Sequence, residues 1–175
     1  LAFEIITEKK YLEKSKIKNE LVRSLALCSG HTGIAEGQEL DLKFEKKRKK
    51  FIQIVDMQRK KTGKLFNFCM QSVAIIANKN NEYKKNLGNI GEDIGLLFQF
   101  TDDFLDVKGS KSLVGKSIKK DNKKGKSTLI KLLGYKKAFS YAEKLKKKIL
   151  FKLKKLGKNA KSLIETIEFI QERSF

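Results

Sequence analysis

Three carboxylates stand close together in an apolar run. In Leu96-Leu97-Phe98-Gln99-Phe100-Thr101-Asp102-Asp103-Phe104-Leu105-Asp106-Val107, Asp102 and Asp106 are four residues apart and Asp103 lies beside them. On a helix, Asp102 and Asp106 share a face, about 5–6 Å apart at Cβ. Like charges at that spacing repel, and apolar neighbours strengthen the repulsion. A hard divalent cation relieves it. Mg2+ takes oxygen ligands and keeps waters or phosphate oxygens in its shell. The competing reading is an acidic patch on a solvated helix face. Two features favour a site. The carboxylates are embedded among aromatic and aliphatic residues, and a cationic stretch follows them. Lys108 to Lys126 carries eight lysines and one acid, Asp121, with glycines at 109, 115 and 125. Metal on one side and lysines on the other would grip a diphosphate between them.

Two further segments carry candidate polar groups. Lys60-Lys61-Thr62-Gly63 lies in the middle of a helical segment, where the lysines taken alone read as solvated. Gly33 and Gly37 are four apart, a spacing that suits a tight helix crossing, with Gln38 and Asp41 as adjoining site residues. His31, the single histidine, reads as an ordinary surface or satisfied side chain. One histidine makes a His-based zinc site or a multi-histidine triad a poor fit.

The elements that must position these residues are helical. Proline is absent and the alternation expected of strands is weak. Leu21, Leu25 and Cys28 recur at helical spacing. So do Phe51, Ile54 and Val55, and then Leu65, Phe68, Ser72, Ile75 and Ile76. A long helix is expected from about Glu82 to Val107, with Leu87, Ile90, Ile94, Leu97, Phe98 and Leu105 on one broad face. Gly88, Gly91 and Gly95 within it point to close helix–helix approach. Lys108 to Lys126 reads as a loop. Further helices are expected from Ser127 towards Lys155 and from Lys161 to Glu172, broken at Gly157. The fold class is all-α, and residues 1–175 form a single domain.

Composition narrows the function classes. The chain has 175 residues, 40% hydrophobic and 34% charged, too apolar for a disordered polyelectrolyte. Its longest apolar runs fall far short of a bilayer crossing. Cys28 and Cys69 read as buried thiols in a reducing compartment, the cytoplasm. The net charge of +20 comes from 36 Lys and only four Arg, against 20 acids. A polyanionic partner is one reading. The plainer one is A/T-rich codon usage, since the lysines are spread along the chain. Base-reading sites favour the planar Arg fork, so no specific nucleic acid is expected.

Taken in order, these pieces resemble the polyprenyl synthetases, the trans-type farnesyl and geranylgeranyl diphosphate synthases. The matching segments are Leu1-Ala2-Phe3 with Ile5-Ile6, Gly37-Gln38-x-x-Asp41-Leu42, Lys61-Thr62-Gly63 and Phe98-Gln99-x-x-Asp102-Asp103-x-Leu105-Asp106. Gly115-Lys116 with Asp121, Gly125-Lys126-Ser127-Thr128 and Leu132-Leu133-Gly134 follow. The resemblance implies a barrel of long helices around a central cavity, as a homodimer. It implies Mg2+-dependent head-to-tail condensation of an allylic diphosphate with isopentenyl diphosphate. Asp102, Asp103 and Asp106 would match the second aspartate-rich motif and hold Mg2+, Asp102 most directly. Lys61, Thr62, Gln99, Lys116 and Lys126 would hold the allylic diphosphate. Of these, Thr62, Gln99 and the Lys61 carbonyl would also face the allylic cation, and released diphosphate would take the final proton.

The sequence also departs from the family pattern. The first aspartate-rich motif and the basic residues for isopentenyl diphosphate belong upstream of the segment resembling Leu1–Ile6. The chain is therefore expected to be the C-terminal part of a synthase, truncated at its N-terminus and inactive alone, with apolar faces left open. The region that would set product length is not among these residues. Glu36 stands where the family commonly has Gly, and the frequent Pro after Thr128 is missing. Three other readings compete. The chain could be a basic nucleic-acid-binding module, or a decayed synthase paralogue serving as a regulatory subunit. It could also be a membrane-surface module, using the basic amphipathic segment Lys144 to Leu156, whose simpler role is to pack on the bundle.

Overall fold

The computed structural model describes the backbone of residues 1–10, 13–45, 47, 49–113 and 129–172, and their side chains apart from 108–113, 171 and 172. Among the described residues there are helices and no strands. They are α1 (Ala2–Thr7), α2 (Ser15–Ser29), α3 (Ile34–Phe44) and α4 (Phe51–Gln58). A π-turn (Arg59–Gly63) then leads directly into α5 (Lys64–Ile76). After it come α6 (Asn81–Leu113), α7 (Leu129–Leu133), α8 (Tyr135–Lys154), a 3₁₀ turn (Gly157–Ala160) and α9 (Lys161–Glu172). None of the described helices is long and apolar enough to cross a membrane.

The central element is α6. Its start is fixed by Asn80, whose Oδ1 accepts from the Tyr83 N–H at 2.8 Å, a local cap for an otherwise unpaired donor. Leu96, Leu97, Phe100 and Phe104 of α6 are essentially sealed from solvent. They meet Ile54 and Met57 of α4, Leu129 of α7, and Ile149 and Leu153 of α8 in one continuous core. Rings lock this part of α6 in rotation. Phe104 lies edge-on to Tyr135 at 5.2 Å, and Phe100 lies 5.3 Å from Tyr141, which in turn meets Phe51 at 5.2 Å. Burying each such ring stabilises the fold by about 2–3 kcal/mol. With Phe100 and Phe104 held inward, the direction in which Asp102, Asp103 and Asp106 leave the helix is set.

The glycines of α6 make the close approach that their spacing predicts. α5 crosses α6 there, and a Cβ on Gly91 would lie 2.3 Å from the Phe66 carbonyl oxygen, inside any permitted contact. Any larger residue at 91 would push the two helices apart.

Several expectations need correction. The helix expected to end at Val107 continues to Leu113, so the segment read as a loop starts as helix; residues 114–128 lie outside the described residues. The helical region expected from Ser127 towards Lys155 is divided into α7 and α8. Gly134, at φ +76°, ends α7 and starts α8, a conformation that L side chains adopt only at a cost. Gly157, at φ +72°, makes the expected break before α9, whose bounds match the pattern. Leu65 and Ile76 are about half exposed, while Ala74 and Ile75 carry the buried side of α5. Cys28 is buried as expected, but Cys69 is exposed.

Candidate functional site

The π-turn is the feature on which the site is built. It adds one residue to the helix running from Phe51 to Ile76, so side chains beyond it are rotated from where an unbroken α-helix would place them. It also brings two neighbouring lysines against α3. The approach is possible only because residue 37 is glycine. A Cβ there would lie 2.2 Å from the Lys61 nitrogen and 2.5 Å from its Cα.

Across that contact, α3 supplies two carboxylates. Asp41 binds the Lys61 ammonium through Oδ2 in a short ion pair. Glu36 accepts from Lys60 at 2.9 Å, and Asp56, one turn before Lys60, accepts at 3.0 Å. Hydrogen bonds to Glu36 first, and then to Asp56, raise the Lys60 ammonium above the ordinary lysine range. The unusual acid at position 36 thus has a definite job: it neutralises the lysine beside Lys61. Gln38, one turn before Asp41 on α3, is exposed, and His31 is exposed as well.

On its far side the π-turn meets α6. The Thr62 hydroxyl donates to Gln99 Oε1 at 3.3 Å, and Gln99 Nε2 donates to Asp103 Oδ1 at 3.3 Å. The other Asp103 oxygen accepts from the backbone N–H of Leu129 at 3.2 Å. The chain Thr62–Gln99–Asp103–Leu129 therefore links the π-turn, α6 and α7 through polar contacts at the edge of the core. Asp103 is buried. Burial pushes its carboxyl up to about 6, against the two hydrogen bonds, which pull it down; Asp106 and Asp102 add to the rise.

The three aspartates therefore do not act alike. Asp103 turns inward to Gln99 and Leu129, whereas Asp102 is partly exposed and Asp106 exposed. Among the described residues, no three His, Cys, Asp or Glu side chains converge as a cation site. Two carboxylates one turn apart still suit Mg2+, which is commonly held by one or two protein carboxylates with waters and phosphate oxygens completing its shell. Lys116 and Lys126 lie outside the described residues.

Sequence reasoning missed a second polar cluster. Asp93 of α6 is 2% exposed and is held by three cations. Arg59 reaches it at 2.6 Å, Lys152 at 3.0 Å and Lys148 at 3.1 Å. Beside it, Glu92 accepts from Lys64 at 2.6 Å and from Asn67 at 2.9 Å. Burial alone would push Asp93 up, but the hydrogen bonds from Arg59, Lys152 and Lys148 prevail and hold it below the usual carboxylate range. The cluster fastens the π-turn and α8 to α6. Only the long-range fold brings these residues together, 59 positions separating Asp93 from Lys152, so no local signal announces them.

Fold and site together define an all-helical protein in which lysines on a π-turn face carboxylates on two neighbouring helices. The chain belongs to the polyprenyl synthetase family, whose model matches residues 2–167. It is 38% identical over 120 residues to a farnesyl diphosphate synthase of Micrococcus luteus, a match covering 69% of this chain and 41% of that protein. Its structure is similar to an FPP/GFPP synthase of Zymomonas mobilis, with a TM-score of 0.81 and 34% identity, covering 97% of this chain and 56% of that one. It is also similar to a Helicobacter pylori geranyltransferase complexed with magnesium and isoprenyl diphosphate. There the TM-score is 0.78 and the identity 30%, over 98% of this chain and 55% of that one. The chain spans about half the length of the relatives it matches.

Proposed function

We propose that these residues form the allylic-diphosphate side of a prenyltransferase site, which condenses an allylic diphosphate such as dimethylallyl or geranyl diphosphate with isopentenyl diphosphate. The product would be farnesyl or geranylgeranyl diphosphate. The observation that carries the reading is the pair of contacts made by consecutive residues of the π-turn: Lys61 to Asp41 on α3, and Thr62 to Gln99 on α6. One bulge thereby turns a neutral oxygen dipole to the helix that bears Asp102 and, one residue earlier, a cation to α3.

Each residue has a physical task in this reading. Lys61 binds a diphosphate oxygen, with Asp41 fixing where its ammonium sits. Thr62 and Gln99 present neutral dipoles to the allylic carbon as positive charge develops there. Dipoles already oriented in a dry site need no reorganisation at that moment. Asp103 holds the Gln99 amide and so acts as a positioning residue, although the sequence groups it with the metal ligands. Phe98, 5.8 Å from Phe66, contributes an apolar wall that keeps water from the cation. Asp102 and Asp106 would hold Mg2+, with Asp103 behind them. When bound, the metal neutralises charge on the leaving diphosphate. Lys116 and Lys126 would close over the same diphosphate. Support for substrate and metal comes from the Helicobacter pylori relative, which was solved with magnesium and isoprenyl diphosphate.

A homodimer belongs to this reading; Leu65, Val73 and Ile76, exposed along α5, offer an apolar surface that a second copy would cover. The two free thiols suit the cytoplasm.

The test is prenyl transfer by the protein in which these residues reside, measured as labelled isopentenyl diphosphate joined to geranyl diphosphate. Transfer should require Mg2+ and fall about a hundredfold or more in Asp102→Ala. Unchanged turnover in that variant would overturn the assignment. These 175 residues alone carry a single Asp-Asp-x-x-Asp string. They should bind the allylic diphosphate without turning it over, and turnover by them would refute that part.

A further inference from the structure

Helix α8 has two faces with opposite chemistry. Ala138, Ala142, Leu145, Ile149 and Leu153 are buried in the core. The apolar face that a membrane-surface helix would insert is therefore already used. At 100° per residue, Lys137, Ser140, Lys144, Lys147, Phe151 and Lys154 fall on the opposite side, and all six are exposed. The helix carries eight lysines, no arginine and one acid, Glu143. Near one end of this cationic face, Phe151 is 63% exposed, and the Lys155 ammonium sits 4.5 Å from its ring centroid.

We propose that this outer face of α8 is a peripheral docking surface for an anionic lipid bilayer, with Phe151 as the group that enters the headgroup layer. The inference is independent of the proposed catalysis. Two properties select this partner. Lysines are compact point charges suited to a diffuse anionic surface, whereas the bidentate grip of arginine on single phosphates is missing here. A lone aromatic ring among them gains an apolar environment in the bilayer. A nucleic acid strand would instead call for several stacking platforms along a groove.

The test exploits the absence of tryptophan from the sequence. Phe151→Trp creates a single reporter at an exposed position. Its emission is followed in the full chain as vesicles of phosphatidylcholine, with or without phosphatidylglycerol, are added. The expected result is a blue shift only with phosphatidylglycerol, quenching by brominated lipid, and loss of both as salt is raised. Replacing Lys144, Lys147 and Lys154 by Gln should weaken vesicle binding on the order of a hundredfold. Replacing the exposed Lys9, Lys16 and Lys85, which are outside α8, removes the same charge. It should cost about tenfold or less. Equal losses in the two triple variants would overturn the proposal, since the chain would then act as a generic polycation. So would vesicle binding without a blue shift at position 151. Tighter binding of polyuridylate than of vesicles, dependent on the α8 lysines, would assign the face to nucleic acid instead.

Discussion

Replacing Asp103 by Asn tests the electrostatic description of the site. The Asp103 carboxyl titrates at about 6 in the folded protein, against 3.8 for an ordinary aspartate. A group whose folded value is raised keeps a proton that the unfolded chain has already released. Stability therefore falls as pH rises from the ordinary value through about 6, and levels off above it. The gap between the two values corresponds to about 3 kcal/mol at neutral pH. Asn carries no charge; its carbonyl can accept from Leu129 N–H, and its amide, which would face Gln99 Nε2, is satisfied when the Gln99 amide turns over so that Oε1 accepts from it and Nε2 donates to the Thr62 hydroxyl. The variant should thus be more stable than the parent at neutral pH by up to about 3 kcal/mol, or roughly 6–12 °C in Tm for a domain of this size. At about pH 4 the two proteins should converge. Thermal unfolding across this range, in the presence of a chelator, reads both effects. If Asp103→Asn is less stable at every pH by a constant amount, the hydrogen bonds outweigh burial and the reasoning fails.

Other predictions follow from the packing and the ion pairs. Gly37→Ala would force α3 away from the π-turn, since its Cβ would lie 2.2 Å from the Lys61 nitrogen. A loss of about 1–3 kcal/mol in denaturant unfolding is expected, together with weaker binding of inorganic pyrophosphate. Asp93→Asn leaves Arg59, Lys148 and Lys152 around a neutral group. Because these cations are partly exposed, the cost should be about 2–3 kcal/mol at neutral pH. Asp93 titrates below 3.8, so its contribution is intact above that pH and is lost as acid takes the carboxyl through its lowered value. Unfolding of Asp93→Asn should lack that acid limb. A thiol reagent added to the native protein should label Cys69 quickly and Cys28 only on unfolding, because Cys28 is buried and burial pushes its thiol up. Fast modification of both would contradict the packing of α2 on α5.

Much of the scaffold was legible because its signals are local or periodic. Gly88, Gly91 and Gly95 announce a close crossing, since nothing else explains three missing side chains in an apolar helix. The Asp102-Asp103-x-x-Asp106 string announces a helix face, and Gly157 a break. What escaped depends on phase or on distant partners. A one-residue bulge at Arg59–Gly63 leaves the apolar spacing on either side looking helical, so the rotation that aims Lys61 and Thr62 is invisible in sequence. Asp103 looks identical to its neighbours until α7 supplies the Leu129 N–H. Asp93 is an isolated acid until α8 folds back with Lys148 and Lys152. The stretch after Val107 reads as loop because glycine and lysine dominate, yet the helix continues to Leu113. Glu36 departs from the resemblance without announcing its purpose; Lys60, 2.9 Å away, provides it.

In the proposed site the π-turn and the aspartate-bearing helix together hold an allylic diphosphate through Mg2+. Calorimetric titration of the chain with geranyl diphosphate, with and without Mg2+ and at two salt concentrations, measures this most directly, with Asp102→Ala as the control. The expected result is binding that requires Mg2+ and is abolished in Asp102→Ala. Binding that ignores both the metal and the substitution, and fades only with salt, would contradict it and leave the lysines acting as a generic polycation.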